Sequence, residues 1–323
     1  MSLKHVGRRT FIKGAGITFL TASGVLRVPE SGASQEVPNS SGAEQPALKA
    51  PANAADCHVH IFDQSRFQPP PEGLGARMPS NDSAQDYRLL QKRNRTTRVV
   101  FVTPRSYVTD NRCTVDAIAQ LSPNARGIGV LRPTVTDAEL KVLDKGGIRG
   151  IRFTTGTEGA VVSVDMIEPL AKRVADLGWH VQLFMSAEQT VQNADMLGRL
   201  PTPIVFDHMG GLPQPEGINH PAYAVIRGLI DKGRTWVKIS GAYITSKVGP
   251  PTYSDATVVA QAYVKAAPER LVWGSDWPHQ GLNPRPDDAV LFDLLTTWAP
   301  EEAVRNRILV TNPEALYGFP KRA

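Results

Sequence analysis

The chain has 323 residues, of which 41% are hydrophobic and 21% are charged. These proportions are ordinary for a globular protein, and the length is sufficient for one large core or two smaller ones. The formal net charge is +5, but residues 1–33 contribute +4 of it, from five Lys and Arg against Glu30 alone. The remaining residues therefore have no basic excess that would predict binding to nucleic acid or to a membrane surface.

The N-terminus has the features of an export signal. The segment Arg8–Lys13 (RRTFIK) resembles the twin-arginine signal, and a mildly apolar run follows from Gly14 to Leu26. Small residues at 31–33 offer a cleavage site, and the apolar run is too short to span a bilayer as an ordinary helix. We predict that residues 1–33 are a twin-arginine signal peptide. The protein would then work in the periplasm, with no membrane association beyond that signal.

The next segment, residues 34–53, is rich in Ser, Pro, Ala and Gly and shows no hydrophobic period, which predicts a linker. The chain contains two cysteines, Cys57 and Cys113. Two cysteines are too few for a disulfide framework, so we expect both to be small buried apolar residues.

Eight short apolar segments rich in β-branched residues follow the linker. They are residues 55–61, 98–103, 126–131, 148–153, 180–185, 204–208, 236–240 and 271–276. Most are nearly continuous apolar runs, as is typical of parallel strands that are buried on both faces. Segments with helical spacing lie between them, at 137–145, 166–177, 223–230 and 256–267, and a helical cap is expected over 301–317.

Strand–helix alternation repeated eight times over residues 54–319 predicts a (β/α)8 TIM barrel in a single domain. An open doubly wound sheet is the alternative architecture. It has little support, because no Gly-rich nucleotide turn follows the first predicted strand.

The first predicted strand contains two histidines one residue apart, His58 and His60. Alternate residues of a strand point to the same face, so the two imidazoles should project together while Cys57, Val59 and Ile61 face the other way. Two imidazoles on one face suit a metal site or a cluster that polarises a carbonyl group.

Further ionisable residues lie at the ends of other predicted strands. His208 ends the sixth and Asp276 the eighth, and Arg152 lies near the end of the fourth. Active sites of TIM barrels lie at the C-terminal ends of the strands, so we expect these side chains to converge with His58 and His60 on one rim.

Six segments along the chain carry a resemblance to a known family. They are Asp56–Asp63 (DCHVHIFD), Thr109–Asn111 (TDN), Gly150–Phe153 (GIRF), Asp207–Gly210 (DHMG), Lys238–Tyr243 (KISGAY) and Trp273–His279 (WGSDWPH). The chain resembles the amidohydrolase superfamily over residues 54–319, and within it a branch of metal-independent lactonases. That branch includes hydrolases of pyrone-dicarboxylates and muconolactones, sugar-acid lactonases and a galactarolactone isomerase.

The resemblance implies that the protein hydrolyses a lactone that carries an anionic group, such as a muconolactone, a sulfomuconolactone, a pyrone-carboxylate or a sugar-acid lactone. Asp276 would take a proton from the attacking water and return it to the leaving oxygen. His58, His60 and His208 would polarise the lactone carbonyl. Ester hydrolysis needs such a base, together with donors aimed at the developing oxyanion.

The predicted substrate contacts are Arg152, Ser106, Tyr107, Asn111, Gln182 and Tyr243. The planar guanidinium of Arg152 suits a carboxylate or sulfonate, and Arg105 is a second cation on the rim. At two positions where relatives carry arginine, this chain has Gly211 and Ile244. Loss of two such cations favours a substrate with a single anionic group.

The sequence does not favour a metal cofactor. Phe184, near the end of the fifth strand, cannot ligate a metal, and His180 at its start lies about 13 Å away along the strand. The fourth strand offers Arg152, a fixed cation that repels a metal. A single divalent ion such as zinc remains an alternative, and its ligands would be His58, His60 and Asp276.

Three other functions are compatible with the sequence. A lactone isomerase on the same scaffold would use the same residues, and a zinc-dependent hydrolase or decarboxylase would use the metal alternative. An exported binding protein without catalysis is the third. The predicted partner in the favoured reading is a small anionic lactone.

Overall fold

The computed structural model describes residues 36–73, 82–155 and 162–321. Eight parallel strands form one sheet in chain order. They are β1 Ala55–Val59, β2 Arg98–Val102, β3 Ala125–Gly129, β4 Ile148–Thr154, β5 His180–Phe184, β6 Ile204–Phe206, β7 Thr235–Ser240 and β8 Leu271–Gly274. A parallel bridge between Val59 and Trp277 joins the last strand to the first. The predicted (β/α)8 TIM barrel is therefore confirmed.

The helices lie between the strands and after the last of them. They are α1 Ala84–Asn94, α2 Arg112–Leu121, α3 Asp137–Lys145, α4 Ile167–Val174, α5 Ala187–Gln192, α6 Ala194–Arg199, α7 Pro221–Asp231, α8 Ala242–Thr245, α9 Ser254–Ala266, α10 Asp288–Trp298, α11 Glu302–Asn306 and α12 Asn312–Tyr317. A π-helical turn, Arg307–Thr311, connects α11 to α12. The backbone is therefore helical through Asn312 and Pro313, within the helical cap predicted over 301–317. The proline lies in the first turn of α12, where its missing N–H costs little.

All eight predicted strands are present, but six of them end one or two residues earlier than expected. β6 ends at Phe206 and β8 at Gly274, so His208 and Asp276 lie in the turns beyond the strands. Both residues have positive φ, 48° and 65°. These are turn conformations rather than extended ones, and they aim the two side chains back over the mouth of the barrel.

A bulge in β1 decides which side chains enter the barrel. The register with β2 shifts within β1, so the strand carries one extra residue. Cys57 consequently packs in the apolar cluster inside the barrel, whereas Val59 packs in the cluster between the strands and the helices. The prediction that Cys57 faces away from His58 is therefore wrong. Cys57 and Cys113 are both buried and free, as predicted.

The end of the barrel opposite to His208 and Asp276 is closed by aromatic side chains of residues near the C-terminus. Tyr317 and Phe319 belong to the inner apolar cluster, together with Trp236 at the start of β7. His180 packs edge-on against Tyr317, with ring centroids 5.5 Å apart. His180 therefore lies at the end remote from the catalytic rim, as its position in the fifth strand predicts.

Residues 36–53, predicted to be a linker, contain no helix or strand, but they pack along the barrel. The indole Nε1 of Trp277, in the loop after β8, donates a hydrogen bond to the carbonyl of Pro38 at 2.7 Å. The backbone N–H of Leu48 donates to the carboxylate of Asp293 on α10 at 2.8 Å. We call residues 36–53 the N-terminal strap, because they hold the segment that follows the last strand.

Within the described residues, no helix has the length and apolar character needed to cross a membrane. Residues 1–33, with the predicted export signal, lie outside the described part of the chain. Export to the periplasm therefore stays a prediction from the sequence.

Arg93 on α1 is the main anchor of the strap. Its guanidinium is buried, donates to Ser40 Oγ at 3.0 Å and to the Glu44 carbonyl at 2.8 Å, and pairs with Asp287 at 2.5 Å. Replacing Arg93 by Met keeps the apolar stem but leaves these acceptors unpaired. We expect the free energy of unfolding in urea to fall by about 3 kcal/mol. The exposed Lys92→Met on the same helix is the control and should change it by less than about 0.5 kcal/mol; equal stability of the two variants would contradict the anchoring role.

Candidate active site

The hydrogen bonds that close the barrel are made by the predicted catalytic residues themselves. The backbone N–H of Asp276 donates to the carbonyl of His58, and the N–H of His60 donates to the carbonyl of Trp277, both at 2.9 Å. A Cβ at Gly274 would lie 2.6 Å from the Cβ of His58. Glycine at this position therefore allows the last strand to approach the first closely enough to bring base and imidazoles together.

Four side chains converge at the mouth of the barrel. The Oδ1 atom of Asp276 lies 3.5 Å from His58 Nε2, 3.6 Å from His60 Nε2 and 3.8 Å from His208 Nε2. The Nε2 atoms of His58 and His60 are 3.3 Å apart. The structure thus brings together all four residues to which the sequence assigns catalytic roles.

The second ring nitrogen of each histidine has its own partner. His60 Nδ1 lies 2.8 Å from the carbonyl of Val102, which can only accept, so the neutral ring carries its proton on Nδ1 and offers a lone pair on Nε2. His208 Nδ1 lies 3.0 Å from the hydroxyl of Ser240. When that hydroxyl donates, the proton of His208 stays on Nε2, facing the carboxylate.

A buried network of charges lies beneath the imidazoles. Lys238 on β7 directs its Nζ to His58 Nδ1 at 3.3 Å and to Asp207 Oδ1 at 3.4 Å, and it donates to Gln182 Oε1 at 2.7 Å. Arg152 donates from Nε to Asp207 Oδ2 at 2.9 Å. Nδ1 of His58 also lies 3.3 Å from Asp207 Oδ1, so this nitrogen faces both a cation that donates and a carboxylate that accepts.

Burial and neighbouring cations keep the histidines neutral. Burial lowers the pKa of His58 well below its usual range, and the Lys238 ammonium lowers it further. Burial, with the Arg152 guanidinium, lowers the pKa of His60 to about 4. Burial alone would raise the pKa of Asp276, but attraction to His208, His58 and His60 in their protonated forms, together with the hydrogen bond from Tyr243, holds that pKa below its usual value. At neutral pH the site therefore holds neutral imidazoles and an ionised carboxylate.

A cavity of about 350 Å³ opens above these groups. One wall is cationic and polar, formed by Arg105, Arg152 and Thr154. Apolar side chains in the lining are Phe184, beside Thr154 on the adjacent strand, and Ile244 and Leu282, from the segments after the seventh and eighth strands. The guanidinium of Arg152 lies over the ring of Phe184, 5.7 Å from its centroid, which helps to hold it at the cavity edge.

Three of the predicted substrate contacts do not line this cavity. Asn111 accepts a hydrogen bond from the N–H of Val130 at 2.8 Å and donates to its carbonyl at 3.0 Å, so its amide ties the end of β3 to the loop after β2. The hydroxyl of Tyr107 accepts from the N–H of Asp63 at 3.1 Å. Ser106 is fully buried beside it. Their assignment to substrate binding stays a prediction from the resemblance, while Arg105 from the same loop reaches the cavity.

The other predicted contacts have distinct positions. Arg152 and Tyr243 line the cavity, whereas Gln182 lies below it and connects Lys238 to Asp207. Tyr243 donates from its hydroxyl to Asp276 Oδ2 at 2.7 Å. Tyr243 therefore contacts the base directly in addition to lining the cavity.

Sequence reasoning gave no role to Asp207, Lys238 or His279. Lys238 interrupts the apolar strand Thr235–Ser240, and a charged residue in a doubly buried strand is a signal that could have identified it. Asp207 and His279 stand inside motifs already noted, next to or near residues with assigned roles. Nothing in the sequence indicates which side chains they contact.

The spacing of the donor atoms makes a His/His/Asp metal site possible. One ligand atom from each of His58, His208 and Asp276 lies within 4.8 Å of the others. Ligands bonded at 2.0–2.1 Å in a tetrahedral zinc site lie about 3.3 Å apart, close to the separations seen among these groups. The set predicted from the sequence, His58, His60 and Asp276, is equally compact, with separations of 3.3–3.6 Å. His58 would ligate through Nε2 with its Nδ1 proton directed at Asp207, and the Lys238 ammonium, 3.3 Å from the same Nδ1, disfavours that tautomer.

The chain matches the family model described as "Amidohydrolase" over residues 55–319. It is 32% identical over 275 residues to the 4-sulfomuconolactone hydrolase of Rhizobium radiobacter, covering 83% of this chain and 91% of that protein. It is 32% identical over 284 residues to the 2-pyrone-4,6-dicarboxylate hydrolase of Comamonas testosteroni, covering 84% and 92%.

A D-galactarolactone isomerase of Agrobacterium fabrum is 29% identical over 270 residues, covering 83% of this chain and 91% of that protein. A crystal structure of an Agrobacterium tumefaciens protein in its apo form superposes with a TM-score of 0.81 at 28% identity, covering 88% of this chain and 99% of that one. These matches agree with the resemblance carried by the six sequence segments. The chain belongs to the amidohydrolase family.

Proposed function

We propose that this protein hydrolyses a lactone that carries one anionic group, with Asp276 as the base. The observation that carries the proposal is the position of Asp276 Oδ1, 3.5–3.8 Å from the Nε2 atoms of His58, His60 and His208. A carboxylate that accepts a proton and imidazoles that donate hydrogen bonds are what ester hydrolysis requires.

Water activation is the first step of the proposed reaction. A water molecule in the cavity donates one hydrogen to Asp276 Oδ1 and the other to the lone pair on His60 Nε2, so that its oxygen faces the lactone carbonyl. Asp276 takes the proton as the oxygen attacks. The protonated carboxyl group of Asp276 then returns the proton to the leaving ring oxygen.

Stabilisation of the oxyanion falls to the two histidines whose Nε2 carries hydrogen. In the proposed reaction Lys238 donates a hydrogen bond to Nδ1 of His58, so the proton of that ring lies on Nε2. The Ser240 hydroxyl can donate to Nδ1 of His208 in the same way. Two N–H donors in a buried site are preorganised for the charge that develops on the carbonyl oxygen. The roles of the three histidines therefore differ, with His60 on the water and the other two on the carbonyl.

Recognition of the anion is assigned to the cationic wall. Arg105 and Arg152 line one side of the cavity, and Nε of Arg152 is occupied by Asp207, which fixes the plane of its guanidinium. Ile244 and Leu282 add apolar lining from the segments after β7 and β8. One carboxylate or sulfonate next to the arginines, and an uncharged ring or side chain next to the apolar residues, complements this lining.

A zinc ion, if bound by His58, His208 and Asp276, would supply a Lewis acid and lower the pKa of a bound water. The proposed reaction does not require it. Lys238 and Arg152 already place two positive charges under the site, against Asp207 and Asp276. A divalent cation would leave the buried cluster with a net charge of +2, which is costly in a low dielectric.

Lactone isomerisation is a second candidate, favoured by the similarity to D-galactarolactone isomerase. In that reaction a second hydroxyl of the substrate replaces water as the nucleophile. The same base and the same donors would serve it, since the proton moves from a hydroxyl to the leaving oxygen in both cases.

The role of Asp276 is tested with Asp276→Asn, which keeps the shape of the side chain and removes the base. We expect kcat/KM on a lactone accepted by the unaltered protein to fall by about 10³-fold or more. The exposed Asp231→Asn should leave it unchanged. In H₂¹⁸O the product acid should gain one ¹⁸O atom. A product without ¹⁸O would favour the isomerase, and an active Asp276→Asn would exclude the proposed base.

The pH dependence of kcat/KM follows from the lowered histidine pKa values. His60 works as the neutral ring, and its pKa of about 4 keeps it neutral to lower pH than an ordinary histidine. We expect kcat/KM to be constant from pH 8 to about pH 5 and to fall below that. His220→Gln, outside the cavity, should give the same profile. An acid limb with a midpoint at pH 6.5 or above would contradict the assignment.

Metal independence is tested by dialysis against a chelator. We expect activity to be retained and elemental analysis to find no stoichiometric zinc, because Lys238 opposes ligation by His58. Lys238→Met removes that opposition, so this variant should retain more zinc than the unaltered protein after the same dialysis. Loss of activity in the unaltered protein, with recovery on addition of Zn²⁺, would establish the metal-dependent alternative.

A further inference from the structure

A line of hydrogen bonds runs from Asp276 away from the histidines. Tyr243 donates to Asp276 Oδ2 at 2.7 Å, and the Tyr243 oxygen lies 2.9 Å from His279 Nδ1. His279 Nε2 in turn lies 3.1 Å from Asp288 Oδ2. This hydrogen-bonded chain runs from Asp276, in the loop after β8, to Tyr243 on α8. It then returns to His279 in the same loop and ends at Asp288, the first residue of α10.

The direction of the hydrogen bond to Asp276 follows from what each group can donate. An ionised carboxylate only accepts, so the Tyr243 hydroxyl donates to Asp276. The His279 ring lies between the Tyr243 oxygen, 2.9 Å from Nδ1, and the Asp288 carboxylate, 3.1 Å from Nε2. In either tautomer both ring nitrogens have a polar partner.

The outer end of this chain is buried and held in place. His279 is 1% exposed and Asp288 is fully buried. Asp288 is the first residue of α10, and its backbone N–H donates to Ser40 Oγ of the N-terminal strap at 3.2 Å. His279 Nε2 is the hydrogen-bond partner of the Asp288 carboxylate, through Oδ2. The other oxygen, Oδ1, has no hydrogen-bond partner among the described residues. Asp288 does not line the cavity.

We propose that Tyr243, His279 and Asp288 are positioning residues for Asp276, an inference that rests on the proposed function of that carboxylate. A free aspartate side chain rotates about its Cβ–Cγ bond. The Tyr243 hydroxyl occupies Oδ2 and stops this rotation, which leaves Oδ1 directed at the three imidazoles. His279, which also lines the cavity, and Asp288, which does not, hold Tyr243 in turn, so the orientation of the base depends on a residue outside the cavity.

The alternative role for Tyr243 is direct contact with substrate, as the sequence predicts. The two roles differ in kinetics. Loss of a contact made equally in the ground state and the transition state raises KM and leaves kcat unchanged. Loss of the orientation of the base lowers kcat and leaves KM nearly unchanged. Substitution of Asp288 distinguishes the two roles, because Asp288 is linked to Asp276 only through His279 and Tyr243.

The kinetic test compares Tyr243→Phe, Asp288→Asn and the double variant on a lactone that the unaltered protein hydrolyses. We expect each single change to lower kcat about 10- to 100-fold, with KM within about threefold. The kcat of the double variant should lie within about twofold of the kcat of the less active single variant. Either single change already interrupts the hydrogen-bonded chain, so the second change adds little. A raised KM with unchanged kcat in Tyr243→Phe, or unaltered kcat in Asp288→Asn, would overturn the proposal.

Two control variants separate the chain from its surroundings. Asp293→Asn, also on α10, retains an oxygen for the N-terminal strap and has no link to His279. Tyr253→Phe removes the hydroxyl of another buried tyrosine. Both should keep kcat within about twofold. Thermal unfolding shows which of the variants are folded. If Asp288→Asn is not folded, the kinetics of Tyr243→Phe decide the test.

A second readout does not depend on activity. In ¹H–¹⁵N correlation spectra of the histidine rings, the Nε2 signals of His58, His60 and His208 report the carboxylate beside them. We expect these signals to shift in Tyr243→Phe and Asp288→Asn and to stay in place in Asp293→Asn. Unshifted signals in both variants would overturn the positioning role. If no lactone is hydrolysed, the proposed function fails, and these spectra still decide whether the chain orients Asp276.

Discussion

Closure of the barrel between β1 and β8 is the constraint on which the site depends. The N–H of Asp276 and the carbonyl of His58 form one of the closing hydrogen bonds, at 2.9 Å. The base and the first imidazole are therefore fixed to each other through the backbone, before any side-chain contact is made. Gly274 makes this approach possible, because a Cβ there would collide with His58. The catalytic geometry and the integrity of the sheet are two aspects of the same contact.

The layer beneath the histidines is charged, although the inside of such barrels is more often filled by branched apolar side chains. Lys238 and Arg152 face Asp207, and Asp276 completes the set above them. Two positive and two negative charges cancel, which makes their burial tolerable. The apolar cluster that contains Cys57 lies further down. The interior thus changes from apolar packing near the C-terminal aromatic cap to ion pairs near the mouth, where Lys238 and Asp207 both contact Nδ1 of His58.

The architecture could be predicted from the sequence because buried parallel strands give continuous apolar runs, and all eight were visible in this way. The convergence of His58, His60, His208 and Asp276 followed from the rule that strand ends meet at one rim. A single extra residue in β1 leaves no such trace, so the inward turn of Cys57 could not be foreseen.

Contacts between loops could not be predicted from the sequence, for a related reason. Polar residues that brace a turn, such as Tyr107 and Asn111, have the same sequence appearance as residues that bind substrate. The partners of Asp276 depend on where α8 and α10 begin relative to the loop after β8. Tyr243 and Asp288 are far apart in the chain, and only the folded backbone shows that one histidine, His279, lies between them.

The cancellation of charge beneath the site has a consequence for turnover. A lactone with one anionic group adds a single negative charge to a balanced interior. Opening of its ring creates a second carboxylate next to the ionised Asp276, so the product carries two negative charges where the substrate carried one. In the proposed reaction, electrostatic repulsion from Asp276 is therefore stronger on the product than on the substrate. The carboxylate that activates the water would thus also favour departure of the opened acid.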